Sequence, residues 1–204
     1  MATLIGILAL QGDFEAHARM LERLGVTEQK PGAPASGDQW RYVRRREDLQ
    51  GLDGLIIPGG ESTTMLKFLE DEAFWKDLHQ FVQTRPAFGT CAGAILLARE
   101  VTNPAQRSLA VLDAAVVRNA YGRQIDSSIR FAPSRLPGAD ELEMVFIRAP
   151  QFDKVGPKVE VLAEESGLPV LLRDGHVLAA TFHPELGHDV RVHQEFLEMV
   201  RGRK

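Results

Sequence analysis

A single cysteine, Cys91, lies between two glycines where a short apolar segment changes into a run of helix-forming residues. Pro86-Ala87-Phe88 before it is typical of a buried parallel strand, and residues 92–98 after it are small or aliphatic. Gly89 and Gly93 match the G-x-S-x-G pattern with sulfur in place of oxygen. Glycine permits the sharp turn, because side chains there would collide with the neighbouring strand or helix. The segment predicts a nucleophile elbow, with a thiolate stabilised at a helix N-terminus.

A lone cysteine is more often a small buried hydrophobe than a nucleophile, so the elbow needs support from elsewhere in the chain. The flanking glycines and the abrupt change from strand to helix already favour the catalytic interpretation of Cys91. Two further motifs, a glycine-rich loop and a His-Pro-Glu sequence, decide in its favour.

The length and composition predict one domain. The chain has 204 residues, enough for one well-buried core and few for two, so we expect a single domain over residues 1–204. Hydrophobic residues make up 44% and charged residues 25%, as in ordinary globular proteins. The net charge of -4 gives no basic surface for nucleic acid or an anionic membrane.

The single cysteine and the N-terminal segment indicate in which cellular compartment the protein is expected. One cysteine excludes an intrachain disulfide and favours a reducing environment. Residues 4–10 are apolar, but no basic segment precedes them and they run into Gln11-Gly12-Asp13, so they indicate a first strand rather than a signal peptide. No stretch approaches the length of a transmembrane helix. We therefore expect a cytoplasmic protein.

Apolar runs and helical spacing alternate in the first half of the chain. Residues 3–10 and 54–58 are typical of parallel strands covered on both faces, and residues 14–24 have apolar side chains along one helical face. Residues 27–39 contain several prolines and glycines and predict a surface loop. The alternation predicts an α/β fold, with a mostly parallel sheet flanked by helices.

Shorter strands are predicted in the second half, around residues 111–117, 143–147, 159–163, 170–173 and 176–182. Asp174-Gly175 separates the last two and predicts a type I′ hairpin, whose central residues must tolerate positive φ. Residues 189–201 have the spacing of an amphipathic helix that closes the chain.

The strand at 54–58 breaks into Gly59-Gly60-Glu61-Ser62-Thr63-Thr64. Glycines leave backbone N–H groups free to face a ligand, and Ser62 or Thr63 can cap a helix that begins near Met65. The loop does not match a phosphate loop, because no Gly-Lys-Ser/Thr sequence follows it. Backbone donors beside a nucleophile predict an oxyanion site instead.

His183 and Glu185 follow the last predicted strand and are separated by a proline that restricts the local backbone. This arrangement suits a histidine base oriented by a carboxylate. Together with Cys91, they give the chain order nucleophile, histidine, acid, at the strand ends where open α/β sheets place their sites. Structural or solvated roles are predicted for the other histidines, which are His17, His79, His176, His188 and His193.

These motifs resemble those of the class I, triad-type glutamine amidotransferases, and most closely the family that supplies ammonia to a pyridoxal 5′-phosphate synthase. The resemblance spans nearly the whole chain and is carried by residues 10–12, 58–64, 88–93, 118–119 with 122–124, 146–150 and 182–186. The elbow and the His-Pro-Glu are shared by the wider superfamily, whereas Gly-Gly-Glu-Ser-Thr-Thr and Phe-Ile-Arg-Ala-Pro are typical of this family. The loop at residues 30–39 is longer than expected there, which bears on surface contacts rather than chemistry.

The resemblance implies that the chain hydrolyses L-glutamine to L-glutamate and ammonia, without cofactor or metal. It implies that the ammonia passes to a synthase subunit within a hetero-oligomeric complex that makes vitamin B6. The triad would be Cys91, His183 and Glu185, and the backbone N–H groups of Gly60 and Ala92 would hold the oxyanion.

The resemblance also implies a set of glutamine-binding residues. They are Gly60, Glu61, Ser62, Arg118, Ile147 and Arg148. An arginine suits an α-carboxylate because its planar fork binds two oxygens. Without the resemblance, a surface ion pair would be the simpler role for either arginine.

Two other interpretations remain open from the residues. A cysteine hydrolase or redox sensor of the DJ-1-like group would share the fold, but that group commonly has histidine directly after the cysteine, where this chain has Ala92. A non-catalytic binding module would not need Cys91, His183 and Glu185 all to be present. A glutaminase assay with and without a synthase partner separates the three interpretations.

Overall fold

The computed structural model describes residues 2–30, 37–120 and 127–202. The strands are β1 (Leu4–Leu8), β2 (Thr27–Glu28), β3 (Gln39–Val43), β4 (Gly54–Ile57), β5 (Ala87–Thr90), β6 (Ala98–Thr102), β7 (Leu112–Val117), β8 (Ser128–Pro133), β9 (Glu141–Phe146), β10 (Gln151–Asp153), β11 (Glu160–Glu165), β12 (Leu168–Asp174) and β13 (Val177–Ala180). The helices are α1 (Phe14–Arg23), α2 (Ser62–Phe68), α3 (Glu72–Thr84), α4 (Ala92–Leu97) and α5 (Arg191–Arg201), with 3₁₀ turns at Arg46–Leu49 and Pro184–Leu186.

Eight of the described strands form the main sheet, in the order β11-β12-β13-β5-β4-β1-β3-β2. The strands from β13 to β2 are parallel, and β11 and β12 extend the sheet as an antiparallel edge. This arrangement confirms the predicted α/β fold with a mostly parallel sheet flanked by helices.

The strand register brings three loops to one edge of the sheet. Ala180 of β13 lies beside Thr90 of β5, and Ile57 of β4 lies beside Gly89 of β5. The residues that follow these three parallel strands therefore meet at the carboxyl edge. The Gly59-Gly60 loop, Cys91 and His183 all leave the sheet at this edge.

Helices cover both faces of the sheet, which explains why the central strands are continuously apolar. Leu55 and Ile57 point to one face and belong to a core cluster with Leu78 of α3. Ile56, between them, points to the other face and clusters with Phe196 of α5. Successive strand residues thus fill two cores, because side chains alternate along a strand.

Two smaller sheets lie in the second half of the described chain, one ordered β10-β7-β6 and the other made of β8 and β9. Of these strands, β6, β8 and β10 were not predicted from the sequence, and neither was α3 as an element. Within the described residues, no helix is both long enough and apolar enough to cross a membrane.

Three local predictions need correction. Residues 27–39 are not entirely loop, because Thr27 and Glu28 form a short strand parallel to β3, and residues 31–36 lie outside the described part. The helix predicted near Met65 begins at Ser62, since the Glu61 side chain, rather than that of Ser62 or Thr63, accepts the backbone N–H of Thr63 at 3.2 Å. This cap starts the helix one turn earlier.

The predicted hairpin turn is displaced by one residue. Asp174 pairs with Val177 inside the ladder, so the two-residue loop is Gly175-His176, and only Gly175 has positive φ, at 56°. The Asp174 carboxylate accepts the backbone N–H of Asp113 at 2.8 Å, which holds this residue in the strand. The pattern of a type I′ turn occurs one hairpin earlier, at Ser166-Gly167, where both φ values are positive.

Candidate active site

The nucleophile elbow forms at the junction of β5 and α4. Cys91 has φ 46° and ψ -102°, a conformation that is rare outside glycine, and it is 6% exposed. A Cβ at Gly89 would lie 2.6 Å from the carbonyl carbon of Gly93, and one at Gly93 would lie 2.8 Å from that of Ile57. Both glycines are therefore needed for close backbone packing around the cysteine, as the motif predicts.

His183 and Glu185 lie just beyond β13, at the start of the 3₁₀ turn Pro184–Leu186. Nδ1 of His183 is 2.7 Å from Oε1 of Glu185, and both side chains are buried. A carboxylate only accepts hydrogen bonds, so Nδ1 carries a proton and Nε2 is left for the nucleophile. The predicted pairing of the histidine with the acid is present in the structure.

The imidazole of His183 also lies beside Cys91, since both side chains lie against Gly59. Burial lowers the pKa of His183, but the hydrogen bonds to Cys91 and Glu185 and their charges outweigh burial and raise the pKa to about 10. A histidine with such a pKa is an imidazolium at neutral pH and can donate a proton to a leaving group.

Gly59 lies against the gap between the histidine and the cysteine. A Cβ at this position would overlap Cε1 of His183, lie 2.9 Å from its Nδ1 and lie 3.3 Å from Cβ of Cys91. Glycine is required here because the backbone of the loop passes directly over the side chains of His183 and Cys91.

The Gly59-Gly60 loop packs against Gln11-Gly12, which follows β1. Gly12 has φ +85°, and a Cβ there would lie 2.9 Å from the carbonyl carbon of Gly59. The Gln11 side chain accepts the backbone N–H of Glu61 through Oε1 at 3.1 Å, while its buried Nε2 has no partner among the described residues. The turns that follow β1 and β4 are therefore in direct contact.

An ion pair between Arg118 and Glu61 lies beside the Gly59-Gly60 loop, where the amino-acid end of glutamine is expected. Nη2 of Arg118 lies 3.5 Å from Oε1 of Glu61, and the Arg118 side chain is only 11% exposed. Such burial is unusual for an arginine in an ordinary surface ion pair. Ser62 is buried and donates from Oγ to Oε1 of Gln106 at 2.9 Å, a partner that the sequence did not suggest.

Arg148 follows β9 and lies close enough to Glu61 to act on it electrostatically. Hydrogen bonds from Thr63 lower the pKa of Glu61 first, and the charges of Arg118 and Arg148 lower it further. Arg148 has φ 45°, and Ile147 precedes it just beyond the strand end. The sequence motif Gly122-Arg123-Gln124 lies outside the described residues.

Two histidines that were predicted to be structural or solvated lie directly behind the triad. His17 and His193 are fully buried, and Nδ1 of His17 is 2.8 Å from Nε2 of His193. Nε2 of His17 lies 3.2 Å from Oγ1 of Thr90 and 3.6 Å from Oε2 of Glu185. The signal in the sequence was helical spacing, which places His17 on the apolar face of α1.

One described cluster has the residue types of a metal site. Asp13, His183 and Glu185 have ligand atoms within 4.8 Å of one another. His183 and Glu185 are already joined by a 2.7 Å hydrogen bond, and Asp13 is exposed. The hydrogen bond between His183 and Glu185 accounts for the closeness of these two residues without a metal. The absence of a metal stays a prediction.

The chain matches the model of a protein family described as the SNO glutamine amidotransferase family, over residues 7–202. It is 56% identical to the pyridoxal 5′-phosphate synthase subunit PdxT of Koribacter versatilis, over 97% of this chain and 96% of that one. It is 44% identical to the protein of the same name from Thermotoga neapolitana, over 97% and 99% of the two chains.

Solved structures give the same picture. One described as a glutamine amidotransferase superposes with a TM-score of 0.83 at 44% identity, and the match covers 97% of this chain and 98% of that one. A glutamine amidotransferase from Thermotoga maritima, at 15% identity and a TM-score of 0.57 over 99% of this chain and 83% of that one, shares the fold.

Proposed function

The chain belongs to the SNO glutamine amidotransferase family, and from this premise we propose that it hydrolyses L-glutamine and delivers the ammonia to a pyridoxal 5′-phosphate synthase subunit. Its relatives named as subunits of that synthase match it over nearly their full length. The products of its own reaction are L-glutamate and ammonia, and the ammonia is passed to that subunit for vitamin B6 biosynthesis.

One observation of the structure carries the chemical part of the proposal. The imidazole of His183 lies beside Cys91 on one side and is hydrogen-bonded to Glu185 on the other, beneath a glycine loop. A nucleophile, a base in contact with it and an acid that orients the base are the three parts of a cysteine hydrolase triad. Their meeting at one sheet edge supports the assignment of Cys91, His183 and Glu185 as the catalytic residues.

In the first half-reaction, the Cys91 thiolate attacks the side-chain carboxamide carbon of glutamine. The carbonyl oxygen becomes an oxyanion, which the backbone N–H groups of Gly60 and Ala92 bind. His183, an imidazolium at neutral pH because its pKa is raised to about 10, protonates the departing ammonia. The carbon–nitrogen bond breaks and a thioester to Cys91 remains.

In the second half-reaction, water hydrolyses the thioester. The sulfur is now uncharged and bonded to carbon, so His183 has lost one of the two partners that raised its pKa. The neutral imidazole takes a proton from water, and the hydroxide attacks the thioester carbon. The tetrahedral intermediate collapses to the Cys91 thiolate and glutamate, whose carboxyl proton goes to solvent. The proton taken from water stays on His183 and restores the imidazolium, while Glu185 orients the ring through Nδ1.

We place the amino-acid end of glutamine beside Gly60, Glu61, Ser62, Arg118, Ile147 and Arg148. The guanidinium of Arg118 suits the α-carboxylate because it binds two oxygens at once, and the Glu61 carboxylate suits the α-ammonium. The lowered pKa of Glu61, which follows from its hydrogen bonds to Thr63 and the nearby arginines, keeps it negative. Ser62 donates its hydroxyl proton to Gln106, which leaves Oγ as a neutral acceptor for the substrate.

Ammonia made without an acceptor is lost to solvent, so we propose that activity depends on docking to the synthase. The peptide between Gly59 and Gly60 is suited to respond, because glycine reorients a peptide group at little steric cost. Gly60 has φ +136°, and the Gln11 side chain lies directly against it. Partner contact would select the orientation in which an N–H faces the oxyanion.

The test is a glutaminase assay of the chain alone and with the synthase subunit, followed as glutamate formed. The chain alone should hydrolyse glutamine slowly, and the synthase should raise kcat rather than only lower KM. Equal kcat values with and without the synthase would refute partner-gated catalysis and leave the triad assignment standing. No hydrolysis in either sample would refute the glutaminase itself and would favour a non-catalytic binding module.

We further propose that residues 1–204 act as one glutaminase domain in a hetero-oligomeric complex in the cytoplasm, and that catalysis needs no cofactor. Both core clusters pack against the same eight-stranded sheet, which supports one folding unit. A lone cysteine whose thiol must stay reduced to react supports a reducing compartment. The DJ-1-like alternative is weakened by the fully buried Ala92 at the position after the cysteine.

A further inference from the structure

The triad lies against a second buried polar group, formed by His17 of α1 and His193 of α5. Both imidazoles are fully buried, and their neighbours include the ring of Phe88, which stands edge-on to His17 with centroids 5.9 Å apart. Burial first, and then the charges of His193 and His183, hold the pKa of His17 well below its usual range. Burial and the charge of Arg23 lower the pKa of His193 to about 3. Both rings are therefore neutral at physiological pH.

Glu185 presents one oxygen to the triad and the other to this group. Oε1 accepts from His183, whereas Oε2 is buried and has no hydrogen-bond partner within the described part of the chain. Nε2 of His17 lies 3.6 Å from Oε2, and neither side chain is exposed. An unpaired carboxylate oxygen in such surroundings is costly unless a positive dipole faces it.

The distances favour one arrangement of the two imidazole protons. If His17 carried its proton on Nδ1, the lone pair of Nε2 would face Oε2 of Glu185. The buried Nδ1–H of His193 would then have no acceptor among the described residues. If His193 donates from Nε2 instead, Nε2–H of His17 faces both Oγ1 of Thr90 and Oε2 of Glu185. A lone pair on Nδ1 of His193, rather than an N–H, is then left without a partner among the described residues, which costs less than an unpaired buried donor.

We propose that His17 is a positioning residue for the triad: with its proton on Nε2, set there by His193, it points an N–H at Oε2 of Glu185 and holds that carboxylate in the rotamer that keeps Oε1 on His183. The inference rests on the proposed glutaminase function. At 3.6 Å the contact is longer than a hydrogen bond, so the stabilisation is the attraction between an N–H dipole and a carboxylate where water is excluded.

The proposal is tested in the complex of the full chain with the synthase subunit. His17→Leu removes the N–H and keeps an apolar volume, and we expect kcat to fall about tenfold to a hundredfold, as for other residues that orient a functional side chain. KM for glutamine should stay unchanged, because His17 does not contact substrate. His79→Leu, at a histidine on α3 away from the site, controls for loss of an imidazole and should keep the wild-type kcat.

Two comparisons separate positioning from a merely structural role. His17→Gln places an amide N–H near the position of Nε2 and should recover most of the lost kcat. In a Glu185→Ala background, His17→Leu should lower kcat no further, because the carboxylate that it positions is gone. Equal losses in both backgrounds, no loss in the wild-type background, or a change in KM alone would overturn the proposal.

Imidazole NMR of the ¹⁵N-histidine-labelled wild-type chain supplies a readout that needs neither activity nor a variant that folds. The proposal requires His17 to be the neutral tautomer with its proton on Nε2, and the opposite tautomer would overturn it. If circular dichroism shows that His17→Leu is unfolded, the wild-type NMR spectrum and the kcat of the His17→Gln variant test the positioning role instead. A wild-type complex that forms no glutamate would refute the proposed function, and the tautomer would still test the placement of the His17 proton.

Discussion

Gly59→Ala should impair catalysis through a displacement of His183. The added Cβ would overlap Cε1 of the imidazole and lie 2.9 Å from Nδ1, whereas unstrained contacts of this kind are about 3.5 Å or longer. Relieving both contacts requires the ring to move by roughly 1 Å, which breaks its alignment with Cys91 and Glu185. A misplacement of about 1 Å at a reacting group can cost about a hundredfold in rate, or ~2.7 kcal/mol in activation free energy.

The assay is steady-state glutamine hydrolysis by the complex, with the melting temperature measured on the same samples. Gly54→Ala is the matched control, because its Cβ would also overlap a side chain, lying 2.6 Å from Val200 Cγ2. Gly54 begins β4, whereas Gly59 follows the end of that strand. The control should lose stability and keep its kcat. Gly59→Ala should lose kcat, at a melting temperature similar to that of the control. A Gly59→Ala variant within twofold of the wild-type kcat would refute the placement of the imidazole against this loop.

His183→Asn should leave glutamate formation near background, and Glu185→Gln should be impaired to a lesser degree, since an orienting acid often costs less than the base; the reverse order would contradict the triad roles. Because the pKa of His183 is raised from 6.5 to about 10, its stabilisation is complete below pH 6.5 and is lost as the pH rises to 10. Urea unfolding should therefore show a shallower loss of stability over that range for His183→Asn, and equal slopes would argue against the raised pKa. Arg118→Ala should raise KM for glutamine more than it lowers kcat, and a loss in kcat alone would exclude binding of the α-carboxylate.

The main features of the fold follow from local patterns that report burial. Residues 54–58 are apolar without a break because Leu55 and Ile56 face different cores, and that pattern is typical of a parallel strand. The short strand Thr27–Glu28 has no such pattern, since it forms only by pairing with β3. The start of α2 depends on which side chain accepts from the first free backbone N–H groups, and Glu61, Ser62 and Thr63 all carry an acceptor oxygen.

In the site, too, some features follow from local sequence patterns and others do not. The elbow around Cys91 could be predicted because the glycines that it needs lie two residues away on either side. The contact between His17 and His193 joins residues 176 positions apart and depends on how α1 packs beside α5. Gln106, the partner of Ser62, likewise comes from a distant loop and belongs to no motif. Such contacts are set by tertiary packing, which a local pattern does not report.

The most direct test of the account is ammonia release from glutamine by the Cys91→Ala chain in complex with the synthase. Cys91 is the chain's one cysteine and it is placed on a strained turn against His183, so no other thiol can form the thioester. With circular dichroism showing an intact fold, we expect no ammonia above that from the synthase by itself. Substantial turnover by this variant would contradict covalent catalysis at the elbow.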